Sequence, residues 1–142
     1  MEYCERQSLQ RVLAKGSSTL TAQRRLAMGV DICSGLYFLH ESSVYHGDLA
    51  PKNIMVTESF NCKLGDFNMS RMMGKDRQTL TATGGTRAYA APEVFDGDEV
   101  VGRSADIYSL GICLFELFCK HGNTCNTVLS KLDTGAFADC ER

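Results

Sequence analysis

From Thr21 onward the apolar residues recur with a helical period. Leu26, Val30, Cys33, Tyr37 and His40 follow at spacings of four, three, four and three, and Ile32, Leu36 and Leu39 widen the stripe. The pattern predicts a long amphipathic helix starting at Thr21, with Arg25 and Asp31 off its apolar face. Two short apolar pieces follow, Asn53-Ile54-Met55-Val56 and Cys62-Lys63-Leu64-Gly65, joined through Thr57-Glu58-Ser59. They predict a small β-hairpin with Asn53 at one end and Asp66 at the other. Residues 69–90 are polar, glycine-bearing and rich in threonine, which reads as one long loop. Asp106 to Cys119 is apolar almost all round, the mark of a buried helix, and is too short to cross a bilayer. After Gly122 the signal fades, and Val128-Leu129-Ser130-Lys131-Leu132 suits one more helical piece.

A chain of 142 residues can bury a real core, and no repeat or internal linker divides it, so one domain is expected. At 44% apolar and 23% charged it has a globular composition, and its net charge of −2 gives no pull toward nucleic acid or an anionic membrane. No run reaches the roughly eighteen apolar residues of a spanning helix. Met1-Glu2-Tyr3-Cys4-Glu5-Arg6 is too polar for a signal peptide, so the expected address is cytoplasmic, with the nucleus left open. Cys4, Cys33, Cys62, Cys113, Cys119, Cys125 and Cys140 contain no Cys-x-x-Cys pair. Their irregular spacing predicts free, mostly buried thiols, not a disulfide framework or a zinc site.

The candidate chemistry lies in three motifs in fixed order. His46-Gly47-Asp48-Leu49-Ala50-Pro51-Lys52-Asn53 comes first, then Asp66-Phe67-Asn68, then Gly85-Thr86-Arg87-Ala88-Tyr89-Ala90-Ala91-Pro92-Glu93. A lone Asp or Asn in a loop is ordinarily a turn former or a helix cap. The ordered set, however, resembles the protein-kinase signatures: a catalytic loop, a magnesium motif and the end of an activation segment. The resemblance implies a mainly α (α+β) fold, a kinase C-terminal lobe with helices around a buried central helix and a small β-hairpin. It implies that residues 1–142 form a partial kinase domain, running from the hinge to just past that helix, without the N-terminal lobe.

Several roles follow from the resemblance. Asp48 would orient or deprotonate the substrate hydroxyl, with Lys52 as a nearby cation. Asn53 and Asp66 would hold Mg2+ with oxygen, the ligand type that hard cation prefers. The backbone of Glu2 and Cys4 would bind the adenine edge of ATP, and Met1 would stand behind it. Leu9, Met55, Cys113 and Leu117 would form an apolar column beneath the adenine. Asp106 would brace the catalytic loop. The partner implied is a protein, as substrate or docking partner.

The chain also departs from the family pattern. No Gly-rich loop or phosphate-binding lysine strand is found, and Lys15, the only lysine before the catalytic loop, lies in a polar stretch. The chain alone is therefore expected to be inactive. Gly47 replaces the arginine that reads an activation-segment phosphate, so phosphorylation at Thr79, Thr81 or Thr83 is expected to matter less than in relatives. Asn68 replaces a glycine. Ala50 replaces the lysine common in serine/threonine kinases, while Lys52 supplies a cation two residues later. A serine/threonine acceptor is favoured over tyrosine. A non-catalytic, pseudokinase-like binding module and a truncated gene product stand as the alternatives.

Overall fold

The computed structural model describes Cys4 and residues 6–15, 20–67, 71–72, 87–95 and 102–119. A short helix, α1 (Leu9–Ala14), precedes the long α2 (Ala22–Glu41). The strand β1 (Val44–Tyr45) leads to a 3-10 turn, Pro51–Asn53, then to β2 (Ile54–Val56) and β3 (Cys62–Leu64). After β4 (Arg71–Met72) come a second 3-10 turn (Arg87–Tyr89), α3 (Pro92–Phe95) and α4 (Arg103–Phe118). The expected hairpin is present: β2 and β3 pair antiparallel, Ile54 opposite Leu64 and Val56 opposite Cys62. A second antiparallel pair joins β1 to β4, Val44 opposite Met72, and β4 lies in the stretch that the sequence reads as one long loop.

Helix α2 starts where its sequence says it should. The Thr21 side chain accepts the Arg24 amide at 3.2 Å and caps the first turn. Its inward face differs from the expected one. Arg25, Met28, Gly29, Ile32, Leu36 and His40 are buried, whereas Leu26, Val30 and Tyr37 are 61, 57 and 67% exposed. Two apolar stripes compete on this helix, and the one that meets α4 and the hairpin is set by tertiary contacts. Arg25 can go inward because backbone carbonyls satisfy it: Nε donates to Leu20 O at 3.2 Å and Nη1 donates to Leu117 O.

One core joins these elements. Leu9 and Val12 of α1, Met28, Ile32 and Leu36 of α2, Ile54 and Val56 of β2 and Cys113 and Leu117 of α4 pack together. Helix α2 comes so near β3 that a Cβ on Gly35 would lie 3.2 Å from Leu64 Cγ. The Asp31 carboxylate fastens the same contact by accepting the Cys62 amide at 2.9 Å. On the other side Phe60 lies under two guanidinium groups, Arg6 at 3.9 Å and Arg24 at 4.5 Å from its ring centre. Among the described residues, helix α4 is not covered all round as its composition suggests. Ala105, Asp106, Ser109, Cys113 and Leu117 are buried, but Ile107 and Phe118 are about half exposed, at 55 and 46%. The packed elements cover one face of it.

The thiols are free at Cys4, Cys33, Cys62, Cys113 and Cys119, of which only Cys62 and Cys113 are buried and Cys33 is exposed. Burial, helped by the Asp31 carboxylate, pushes the Cys62 thiol from 9.0 up to about 12. A folded-state value above the unfolded one stabilises the fold fully below pH 9.0 and loses that contribution as pH rises toward about 12. Alkylation should accordingly modify Cys33 rapidly at pH 8 and reach Cys62 only on unfolding; equal labelling rates would contradict the burial. In urea titrations Ile32→Ala should cost about 2–4 kcal/mol, and Ile107→Ala no more than about 0.5 kcal/mol.

Candidate active site

The site is assembled where α2, β1, the first 3-10 turn and α4 converge. Helix α2 ends at Glu41, and β1 then delivers His46, which has no exposed surface. The buried Asp106, in the first turn of α4, gathers the backbone just before Asp48. Its Oδ2 accepts the His46 amide at 2.7 Å, and its Oδ1 accepts the Gly47 amide at 2.9 Å. The ring of His40, in the last turn of α2, reaches Oδ2 at 2.8 Å. Arg103 in turn donates to the His40 carbonyl, locking the start of α4 to the end of α2. Three donors thus converge on one buried carboxylate, which is what burying such a group requires. Gly47 has φ of 78°, a left-handed conformation that glycine adopts without Cβ strain.

His46 carries the order onward. Its Nδ1 accepts the Asp48 amide at 3.3 Å, so Nε2 bears the proton and donates to Gly65 O at 3.1 Å. Its ring lies 5.5 Å from that of Phe67. One side chain therefore connects the loop carrying Asp48 to the turn carrying Asp66.

Pro51 opens the 3-10 turn, and its restricted φ suits that place. The turn brings Lys52 and Asn53 back onto Asp48. Asn53 Nδ2 donates both to the Asp48 carbonyl, at 2.7 Å, and to Asp48 Oδ2, at 2.9 Å. Lys52 Nζ stands 3.1 Å from the same Oδ2. With its amide nitrogen used in this way, Asn53 keeps its side-chain oxygen for another ligand. The Asn53 carbonyl accepts the Gly65 amide at 2.9 Å, and this bond at the open end of the hairpin sets Asp66 beside Asn53 in the fold. Asp66 is exposed with φ of 56°, a left-handed value that Asp tolerates better than most residues.

The other expected site residues have mixed placements. Residues 6–8 run along β2, with the Arg6 amide on Val56 O at 3.1 Å and Ser8 bridged to Met55. Cys4 and Met55 are half-buried on this side. Leu9 is fully buried in the core and so offers no surface of its own to a ligand, and Cys113 and Leu117 are buried with it. Met1, Glu2, Asn68, Thr79, Thr81 and Thr83, and the piece 128–132, lie outside the described residues.

Sequence reasoning missed two parts of the framework. The helical period sets His40 in an apolar stripe; its polar ring, six residues before His46, is the signal for its role. The second part ties the segment before Glu93 to α4: Tyr89 Oη donates to Glu116 Oε2 at 2.9 Å, and Ser109 Oγ donates to the Tyr89 carbonyl at 2.7 Å. Nothing in the local spacing announces those pairs.

The protein kinase domain model matches residues 1–134. A probable serine/threonine-protein kinase of Streptomyces coelicolor is 37% identical over 120 residues, covering 82% of this chain and 18% of the relative. A probable serine/threonine-protein kinase of Dictyostelium discoideum is 38% identical over 120 residues, 82% of this chain and 12% of the relative. The rice serine/threonine protein kinase OSK3 is 36% identical over 120 residues, 84% of this chain and 23% of the relative. The chain belongs to the protein kinase domain family, and it spans less than a quarter of the length of these relatives.

Gly47→Ala tests the loop backbone. Keeping the Asp106 contact would hold alanine at positive φ, so the variant should lose about 1–2 kcal/mol of stability by chemical denaturation. An unchanged midpoint would show that the Gly47 conformation is not required.

Proposed function

We propose that this chain is the C-terminal-lobe part of a protein kinase domain that transfers the ATP γ-phosphate to a serine or threonine hydroxyl of a protein. The observation that supports this reading most is the pairing of Asp48 with Asn53 through two hydrogen bonds, with Asp66 brought alongside by the Gly65–Asn53 bond. Asp48 is half-buried and held by neighbours, as a group that orients an acceptor hydroxyl should be. The serine/threonine preference is taken from the names of the relatives.

The donor set fits the cofactor. Asn53 and Asp66 offer an amide oxygen and a carboxylate oxygen, hard ligands that would hold Mg2+. When bound, Mg-ATP supplies the phosphoryl group and neutralises part of its charge. Lys52 adds a positive charge beside the acceptor position, and Met55 with the backbone around Cys4 would form one wall of the adenine site.

Transfer depends mostly on positioning and electrostatic clamping, so a lobe without the phosphate-binding lysine and glycine cover should be inactive by itself. A docking role, pseudokinase-like, is favoured by one observation, the apolar residues exposed on α2. The expected address is cytoplasmic.

The test compares two proteins with labelled ATP. The 142-residue chain should show no Asp48-dependent incorporation, and a longer product carrying the upstream lobe should phosphorylate protein serine or threonine. In the longer product Asp48→Asn should lower the rate by about a hundredfold or more. Robust Asp48-dependent activity of the short chain would overturn the inactivity, and a silent longer product would favour the docking reading.

A further inference from the structure

The hairpin that ends at Asp66 has an open edge. Its ladder bonds run from the Gly65 amide to Asn53 O and from the Thr57 amide to Asn61 O, with Val56 opposite Cys62 and Ile54 opposite Leu64 between them. Successive residues of an antiparallel strand send their amides to opposite sides, so the Cys62 amide points away from β2. The β2–β3 sheet has two strands, and Cys62 is buried, so that amide needs an acceptor from outside the hairpin. It donates to Asp31 Oδ2, midway along α2, at 2.9 Å. One helical turn further on, Gly35 admits Leu64 so closely that an added Cβ would stand 3.2 Å from Leu64 Cγ and 3.3 Å from Cδ1. The two spacings agree. Asp31 and Gly35 are about 6 Å apart along the helix, and Cys62 and Leu64 about 6.6 Å apart along the strand. Helix α2 therefore grips β3 at two points. The strand cannot slide without losing the Asp31 bond and moving Leu64 off the glycine that admits it.

We propose that Asp31 is a positioning residue for Asp66: by holding β3 through the Cys62 amide, it sets where the Asp66 carboxylate stands relative to Asn53. The inference rests on the reading of Asn53 and Asp66 as the pair that would hold Mg2+. Little slack separates the grip from that pair. Asp66 follows Leu64 by two residues, and Gly65 between them is itself fixed, its amide on Asn53 O at 2.9 Å and its carbonyl accepting His46 Nε2 at 3.1 Å. Asp31 acts here as a hydrogen-bond acceptor, because its contact is a neutral amide. An amide oxygen in the same place serves as well, so Asp31→Asn keeps the role. Asp31→Ala removes it and leaves the buried Cys62 amide without that acceptor. Asp31 is half-buried on the helix surface, so both variants should stay folded by circular dichroism.

Hydrogen exchange of the 142-residue chain reads the grip itself. In Asp31→Ala the Cys62 and Gly65 amides should exchange at least about tenfold faster. The Val56 amide, which donates to Gln7 O at 2.8 Å on the far edge of β2, should keep its protection, and Asp31→Asn should match the parent. The effect on the site is read in the longer product carrying the upstream lobe, with Mg2+ as the probe. Asp31→Ala should need about tenfold more Mg2+ for half-maximal phosphorylation and regain most of the parent rate at saturating Mg2+. Asp31→Asn should behave as the parent. A role in stability alone would lower the rate at every Mg2+ concentration without moving the midpoint. Unchanged exchange at Gly65, an unmoved midpoint in an active product, or a midpoint shifted as far in Asp31→Asn as in Asp31→Ala would each overturn the proposal. A parent product silent at every Mg2+ concentration would instead overturn the kinase reading, and this inference with it.

Discussion

A buried carboxylate with its donors fixed is the constraint on which the rest of this site depends. Asp106 sits 2% exposed at the start of α4 and must find partners there. It finds them in the His40 ring and the amides of His46 and Gly47, so α2, the loop and α4 cannot move independently without orphaning it. Hydrogen bonds to a charged group contribute about 1.5–3 kcal/mol each, more than ordinary backbone bonds. That is enough to hold two residues of loop in a conformation they would not adopt alone. From that anchor order passes along the chain: His46 to Gly65, Gly65 to Asn53, Asn53 to Asp48. Asp48, Lys52 and Asp66 are half-buried or exposed, whereas Asn53 and the groups that position the loop, Asp106, His40 and His46, are inside.

That division has a physical logic. A group meant to meet a substrate must keep some access to it, and a group meant to aim it must not move. Asp48 is clasped on one oxygen by Asn53 and Lys52, and both come from the turn that Pro51 begins, so a single local element sets the carboxylate's direction. Gly47 belongs to the same design. At φ of 78° it lets its amide reach Asp106 without steric penalty, and a loop held this way owes its shape to backbone bonds, not to a side chain at position 47.

Much of this was legible in the sequence. The ordered motifs named the residues proposed for the site, the helical period beginning at Thr21 located α2, and the apolar pieces Asn53–Val56 and Cys62–Gly65 located the hairpin, whose strands are Ile54–Val56 and Cys62–Leu64. Three things were not. The inward face of α2 was misread because Leu26, Val30 and Tyr37 repeat as regularly as Met28, Ile32 and Leu36; only the partner elements decide between two stripes. Arg25 could not be assigned to the interior because one acceptor that satisfies it, Leu117 O, lies 92 residues away in sequence. The β1–β4 pair consists of two-residue strands, too short for a period to show.

Hydrogen exchange of the His46 and Gly47 amides, compared between the parent chain and Asp106→Asn, tests the central claim most directly. If the Asp106 carboxylate organises the loop, both amides are protected in the parent chain. In the variant they should exchange at least about tenfold faster, a loss of about 1.4 kcal/mol, while Val56 in the hairpin keeps its protection. Equal protection of His46 and Gly47 in the two proteins would contradict the account.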